Sequence, residues 1–176
     1  MFRIVGLLFL LLISACSNIQ FNERYANAGW EKVIIAPFKG DNKAIADLQF
    51  EHLLGTSSVV EMVTPSMTMQ LIKEHKLSAE YADAPNKSLL LLANKIGASG
   101  VIIGEVKSSN PNGHKNPYAN ASIYTKLIDV KTGSIVSTSF NEANSMFAGA
   151  DSLIKSLSSE TVDEIEEVFA RIVSAE

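Results

Sequence analysis

The chain has 176 residues, of which 47% are hydrophobic, 19% charged and 7% aromatic. That is the length and make-up of one folded domain, and it excludes collagen-like and low-complexity chains. Fifteen basic against nineteen acidic residues leave a net charge of −4, which argues against a nucleic-acid partner held by phosphate neutralisation. The single cysteine rules out an internal disulfide framework and any multi-cysteine metal site.

The chain opens Met1-Phe2-Arg3, runs through an apolar stretch from Ile4 to Ile13 interrupted only by Gly6, and continues Ser14-Ala15-Cys16-Ser17. The apolar run is shorter than the roughly 20 residues a transmembrane helix needs. A basic start, an apolar centre and small residues before a cut are the layout of a secretory signal. Ile13-Ser14-Ala15-Cys16 resembles a bacterial lipobox: an aliphatic residue, two small ones and the cysteine. The resemblance implies that signal peptidase II recognises Ile13, Ser14 and Ala15 and cuts before Cys16, which carries acyl chains such as palmitate. Residues 1–15 are then the signal peptide, and three chains on Cys16 make attachment effectively permanent. Ser17, where an aspartate would resemble an inner-membrane retention signal, implies the outer membrane with the protein on its periplasmic face. The other reading is an ordinary signal peptide followed by an incidental cysteine. Loss of Arg3 leaves fourteen basic and nineteen acidic residues, a mature charge of −5.

Residues 16–31 show neither helical nor strand periodicity and read as the lipidated cysteine and a tether. Trp30 within them either docks on the domain or faces lipid. A single domain over 32–176 follows. Lys32 to Phe38 is a short continuous apolar run, the pattern of a strand buried on both faces. Gly40-Asp41-Asn42 offers a turn and a helix cap. Ala44, Ile45, Leu48 and His52 or Leu53 then recur at helical spacing up to Gly55. Val59 to Val63 is a second strand, and Thr64-Pro65 opens a helix reaching about His75. Pro85-Asn86 opens the next helix, from Lys87 to Ile96, which Gly97 stops. Val101 to Val106 is the third strand.

Asn110 to Pro117 is a turn-rich loop. Ala121–Val130 and Ser134–Phe140 alternate around Asp129-Val130-Lys131-Thr132-Gly133, a hairpin signal. From about Asp151 the tail is helical, with Leu153, Ile154, Leu157, Thr161, Ile165, Val168, Phe169 and Ile172 on one stripe. Ser156 to Ser159 leaves open whether that helix is continuous. The expected fold is therefore a single three-layer α/β domain with a mixed sheet, in the order β-α-β-α-α-β-β-β-α.

Chemistry-bearing motifs are sparse. His52, His75 and His114 have no second ligand at metal spacing, and no nucleophile elbow or Ser-x-x-Lys set occurs. The expected catalytic, metal and cofactor residues are therefore none, and the chain does not read as an enzyme. Gly97 to Gly104 is glycine-rich but precedes a strand and lacks the Lys-Ser/Thr ending of a phosphate loop, so it reads as a helix stop and a tight turn. The acidic run Glu160, Asp163, Glu164, Glu166 and Glu167 reads as a solvated helix face, or as a face for a basic partner. Pro111, His114, Lys115 and Tyr118 are the partner-binding candidates, because loops on rigid scaffolds carry contacts. A plain solvated connection is the competing reading.

Val33 to Phe38, Thr64-Pro65, Gly97 to Val106 and Leu127 to Val136 together resemble one set of proteins: the curli-secretion lipoproteins (CsgG type), the penicillin-binding-protein activator LpoB and the amino-terminal domain of TolB. The resemblance spans about Lys32 to Phe140 and implies the fold more directly than the function. It implies a non-enzymatic assembly or accessory factor of an envelope, secretion or appendage complex, working through contacts with other envelope proteins and, in some members, as a homo-oligomer. The alternative it implies is activation of a peptidoglycan synthase. The chain has no room for the two extra membrane hairpins of the pore-forming branch, each strand of which needs about ten alternating residues. The synthase-activating branch carries a long tether, and here that segment is short.

Overall fold

Val33, Ile34 and Ile35 are apolar on both sides of a strand, and both sides are fully buried. Such a strand needs a layer against each face. A computed structural model describes residues 19–56, 59–111 and 118–173 and shows both layers. The elements are β1 (Ile19–Phe21), a 3-10 turn (Glu23–Tyr25), β2 (Lys32–Ile35), β3 (Lys39–Gly40), α1 (Lys43–Leu54), β4 (Glu61–Val63), α2 (Pro65–Glu74), α3 (Ser78–Asp83), α4 (Pro85–Ile96), β5 (Gly100–Ser109), β6 (Ala119–Asp129), β7 (Ile135–Ser145) and α5 (Ala150–Val173). The seven strands form one open sheet in the order β1-β7-β6-β5-β2-β4, with β3 alongside β5. β2 pairs in parallel with β4 and β5, whereas β5, β6, β7 and β1 are antiparallel to one another.

The expected element order and layer number hold; β1, β3 and the short α3 are additional. α5 is continuous from Ala150 to Val173, and every residue of its expected stripe is buried. With α1 it covers one face of the sheet, over Val33, Ile35, Ile102, Val106, Ile123 and Leu127. α2 and α4, with Leu77 and Tyr81 from the α3 segment, cover the other face over Ile34, Val63 and Val101. Gly97 ends α4 at φ +70°, the left-handed conformation that glycine adopts without a Cβ penalty.

Two expectations about α1 are corrected. In α1 the buried face is Ala46, Phe50 and Leu54, and Leu48 is 66% exposed. Phe50 decides this orientation: its ring packs against Phe38 with centroids 4.5 Å apart, burying far more apolar area than Leu48 could. Asn42 sits at the amino-terminal cap but makes no side-chain capping bond; its amide instead donates to Ser108 Oγ at 3.1 Å.

The larger correction concerns the tether. From Ile19 onward the segment is part of the domain. β1 adds antiparallel to β7, pairing Ile19 with Ser139 and Phe21 with Ser137, and the Asn22 N–H continues the ladder to the Val136 carbonyl at 2.8 Å. Asn27 and Gly29 donate their N–H groups to the carbonyls of Arg171 and Ile172, each at 3.0 Å, satisfying orphan acceptors at the end of α5. The Arg171 guanidinium pairs with Glu23 and stacks 4.4 Å from the Phe21 ring centroid. Trp30 docks on the domain at 7% exposure. Its ring meets Tyr25 edge-on at 6.1 Å and occupies the space a Cβ on Gly100 would need. The signal segment, Ile13, Ser14, Ala15 and Cys16 lie outside the described residues.

Candidate partner-binding surface

The two helical layers do not cover the sheet equally. α5 lies along β6 and β7 on one face, but on the other face the helices stop at β5. β6 records this residue by residue: Ala121, Ile123, Thr125 and Leu127 are buried, while Ser122, Tyr124, Lys126 and Ile128 between them are half-exposed. The register places Glu105 beside Tyr124 and Lys107 beside Ser122, with Phe140 and Glu142 of β7 on the far side. This open half-face carries a Glu105–Lys107 ion pair at 3.4 Å and a Lys126 ammonium 5.4 Å over the Tyr124 ring. A concavity of about 510 Å³ runs along it between Asp41, Lys107, Ser109, Asn120 and Glu142. Phe140 is a large, half-exposed apolar side chain beside Tyr124 and Ser122. The surface mixes charged, amide, hydroxyl and aromatic groups.

A smaller cavity of about 140 Å³ opens just past the end of β2, beside the middle of β5, between Pro37, Lys39, Tyr81, Leu89, Ile103 and Lys126. On the other side of Pro37, Asp47 accepts the Phe38 N–H at 2.8 Å. Burial raises the Asp47 carboxyl above its ordinary value of 3.8, against the lowering effect of the Phe38 N–H and Lys43. Burial also raises the Tyr81 phenol, and the charge of Asp47 adds to that rise. A carboxyl whose folded pKa is raised binds its proton more tightly folded than unfolded. Its effect on stability is therefore most favourable below 3.8, and stability falls as pH rises from there through the folded value. Asp47→Asn keeps an acceptor for the Phe38 N–H and is expected to flatten that fall, measured as urea midpoints between about pH 3 and 7.

His52 and His75 are exposed, on α1 and just past α2. Among the described residues, no group of three or more His, Cys, Asp or Glu side chains could hold a metal ion. The acidic run divides. Glu160, Asp163 and Glu167 are exposed, but Glu164 is buried and accepts from Ser139 Oγ and, at 2.9 Å, from Asn141 Nδ2. Asn141 Nδ2 also reaches Thr161 Oγ1 at 3.0 Å. The reading of the whole run as a solvated face therefore fails at Glu164, because β7 presents polar side chains under α5 at that level.

Of the expected binding residues, Pro111 is exposed at the end of β5 and Tyr118 is 41% exposed just before β6. His114 and Lys115 lie outside the described residues. The β7–α5 connection, missed from the sequence, comes to the same end of the sheet. Ala119 pairs with Ser145, so Tyr118 and Met146 leave the ladder side by side. The Ala150 N–H donates to Asn110 Oδ1 at 3.1 Å and ties the start of α5 to the end of β5. Ser145 Oγ accepts the N–H groups of Phe147 and Ala148 at 3.1 and 2.9 Å. That turn presents Met146 at 57% and Phe147 at 99% exposure. The available signal was two large apolar residues between Ser145 and Ala148-Gly149, in a stretch with neither period.

No protein-family model matches the chain, and no curated protein matches it. Solved structures do. The PelC dodecamer from Paraburkholderia phytofirmans is similar with a TM-score of 0.53 and 16% identity, over 90% of this chain and 98% of that one; a point variant of the same protein gives 0.55 and 15%, over 82% and 95%. The hypothetical protein CT253 from Chlamydia trachomatis gives 0.52 and 11% identity, over 80% and 98%. The LpoB C-terminal domain from Salmonella enterica gives 0.50 and 13%, over 66% of this chain and 84% of that domain. The curli-secretion and TolB parts of the sequence resemblance gain no support from these structures. At these identities the likeness is one of fold, and the fold is a mixed α/β domain similar to LpoB-type domains.

Proposed function

We propose that the chain is an envelope lipoprotein, anchored in the outer membrane through Cys16, that serves as a non-enzymatic assembly or accessory factor by binding other envelope proteins. The observation that carries this reading is the place where the domain begins. Ile19 is already paired with Ser139, and the three residue steps from Cys16 span at most about 10 Å. An acyl chain on Cys16 would hold the domain against the membrane surface. The open half-face of β5, β6 and β7 is the surface offered to a partner. The fold shared with the PelC dodecamer supports a role built on assembly, including self-assembly.

The second reading, activation of a peptidoglycan synthase, draws on the fold shared with the LpoB domain. The short reach from Cys16 counts against it, because a synthase in the inner membrane lies far beyond about 10 Å. Affinity purification from the native envelope, with mass spectrometry and native mass determination, separates the outcomes. Envelope proteins or multiple copies in the purified complex support the assembly reading; a monomer with no envelope partner contradicts it. Stimulation of glycan polymerisation by the purified protein would favour the second reading instead.

A further inference from the structure

Among the large apolar side chains of the described residues, Phe147 is the most exposed. Phe147 is 99% exposed and Met146 57%, on the turn that leaves β7 at the end of the sheet where Tyr118 leads into β6. From Ala143 to Ala150 the chain carries no charged residue. An aromatic ring almost wholly exposed on an uncharged turn adds nothing to the core, and such rings settle at the boundary between headgroups and acyl chains.

Strand direction says which way this tip faces. β1 is antiparallel to β7, so the chain enters Ile19 from the end of the sheet that carries Met146 and Phe147. From Ser139, the partner of Ile19, to Ser145 is six residues of β7, or about 20 Å at ~3.3 Å each. Cys16 reaches at most about 10 Å in that direction. With Cys16 at the membrane surface, the end of β7 extends at least about 10 Å further, so the Met146–Phe147 turn that follows it can reach the depth of roughly 5–10 Å at which interfacial apolar groups are buried.

We propose that Phe147, with Met146 next to it on the turn and Tyr118 at the same end of the sheet, is a lipid-contacting tip that enters the phospholipid surface and sets the orientation of the domain on the membrane. The proposal rests on the lipid-anchor reading for its geometry. Insertion of the tip orients α5 and the sheet strands at a steep angle to the bilayer, and it leaves the open half-face directed along the membrane, where a neighbouring copy or another envelope protein meets it.

The test uses the full chain carrying Phe147→Trp, purified with its lipid and reconstituted into phosphatidylethanolamine–phosphatidylglycerol vesicles, with and without brominated acyl chains. Phe147 is almost wholly exposed, so the exchange leaves the fold intact. Trp30 is the one native tryptophan and is buried, so the unsubstituted chain supplies the reference emission. The expected result is added emission that is blue-shifted and loses about half its intensity or more in brominated vesicles, with no loss for Trp30 alone. Added emission that resembles water-exposed tryptophan, or that is blue-shifted but not quenched as in a protein–protein contact, overturns the proposal. The mass of the amino-terminal peptide, read separately, shows whether Cys16 is lipidated, so failure of the tip and failure of the anchor are distinguishable.

Discussion

Trp30→Ala is expected to destabilise the domain by about 3–5 kcal/mol, the range for truncating a large buried aromatic side chain. The effect is large because Trp30 does three things at once. It fills the space above Gly100 and beside Leu127, it packs edge-on against Tyr25, and it holds down the segment whose Asn27 and Gly29 N–H groups cap α5. Against a total stability of roughly 5–15 kcal/mol for a domain of this size, the loss is a substantial fraction. Urea unfolding followed by circular dichroism measures it, because the substitution removes the chain's own fluorescent probe. A change below about 1 kcal/mol, the level of an exposed site, would mean that residues 19–31 are a free tether after all.

The second large effect lies between α5 and β7. Glu164 is a buried carboxylate that, among the described residues, accepts hydrogen bonds from Ser139 and Asn141. Asn141→Leu removes one of the two and leaves a buried charge under-satisfied, which is expected to cost about 3 kcal/mol. Replacing both partners, as Asn141→Leu with Glu164→Leu, substitutes apolar packing for the polar pair and should cost less than Asn141→Leu alone. The two changes are thus coupled by more than about 1 kcal/mol in a double-mutant cycle. Additive costs would show that Glu164 is solvated and that the acidic run is a uniform surface face.

These two sites also show where the sequence was readable. β2 and α5 could be recognised because their burial is one-dimensional: a continuous apolar run for a strand covered on both faces, and a single stripe for a helix covered on one. β1 could not. Three residues, Ile19 to Phe21, have no period to detect, and they form a strand because β7 offers an edge at Ser137 to Ser139. β7 itself was cut short at Phe140, because beyond that point one face lies open to water and the other carries Asn141 under α5, so polar residues occupy both sides. Glu164 was read with its exposed neighbours because nothing local distinguishes it; only the long-range pairing with Ser139 and Asn141 does. In α1, Leu48 and Phe50 both belong to plausible stripes, and the position of Phe38 in the folded chain chooses between them.

The candidate surface was legible in part. The turn residues after β5 mark a loop in the sequence, and the described residues Pro111 and Tyr118 are exposed, which does not bear on whether they bind a partner. The projecting Met146-Phe147 turn was not legible, since loop residues follow no period and their convergence depends on the β6–β7 register. The open half-face was also invisible, because whether alternating residues of β6 meet helices or water depends on which strands α2 and α4 cross.

Cys16 is the proposed point of attachment, three residues before the first described strand at Ile19. The most direct measurement is the mass of the amino-terminal peptide of the protein purified from its native envelope. The peptide is expected to begin at Cys16 and to carry the added mass of acyl chains. An amino-terminal peptide that begins elsewhere, or that contains an unmodified Cys16, would contradict that attachment.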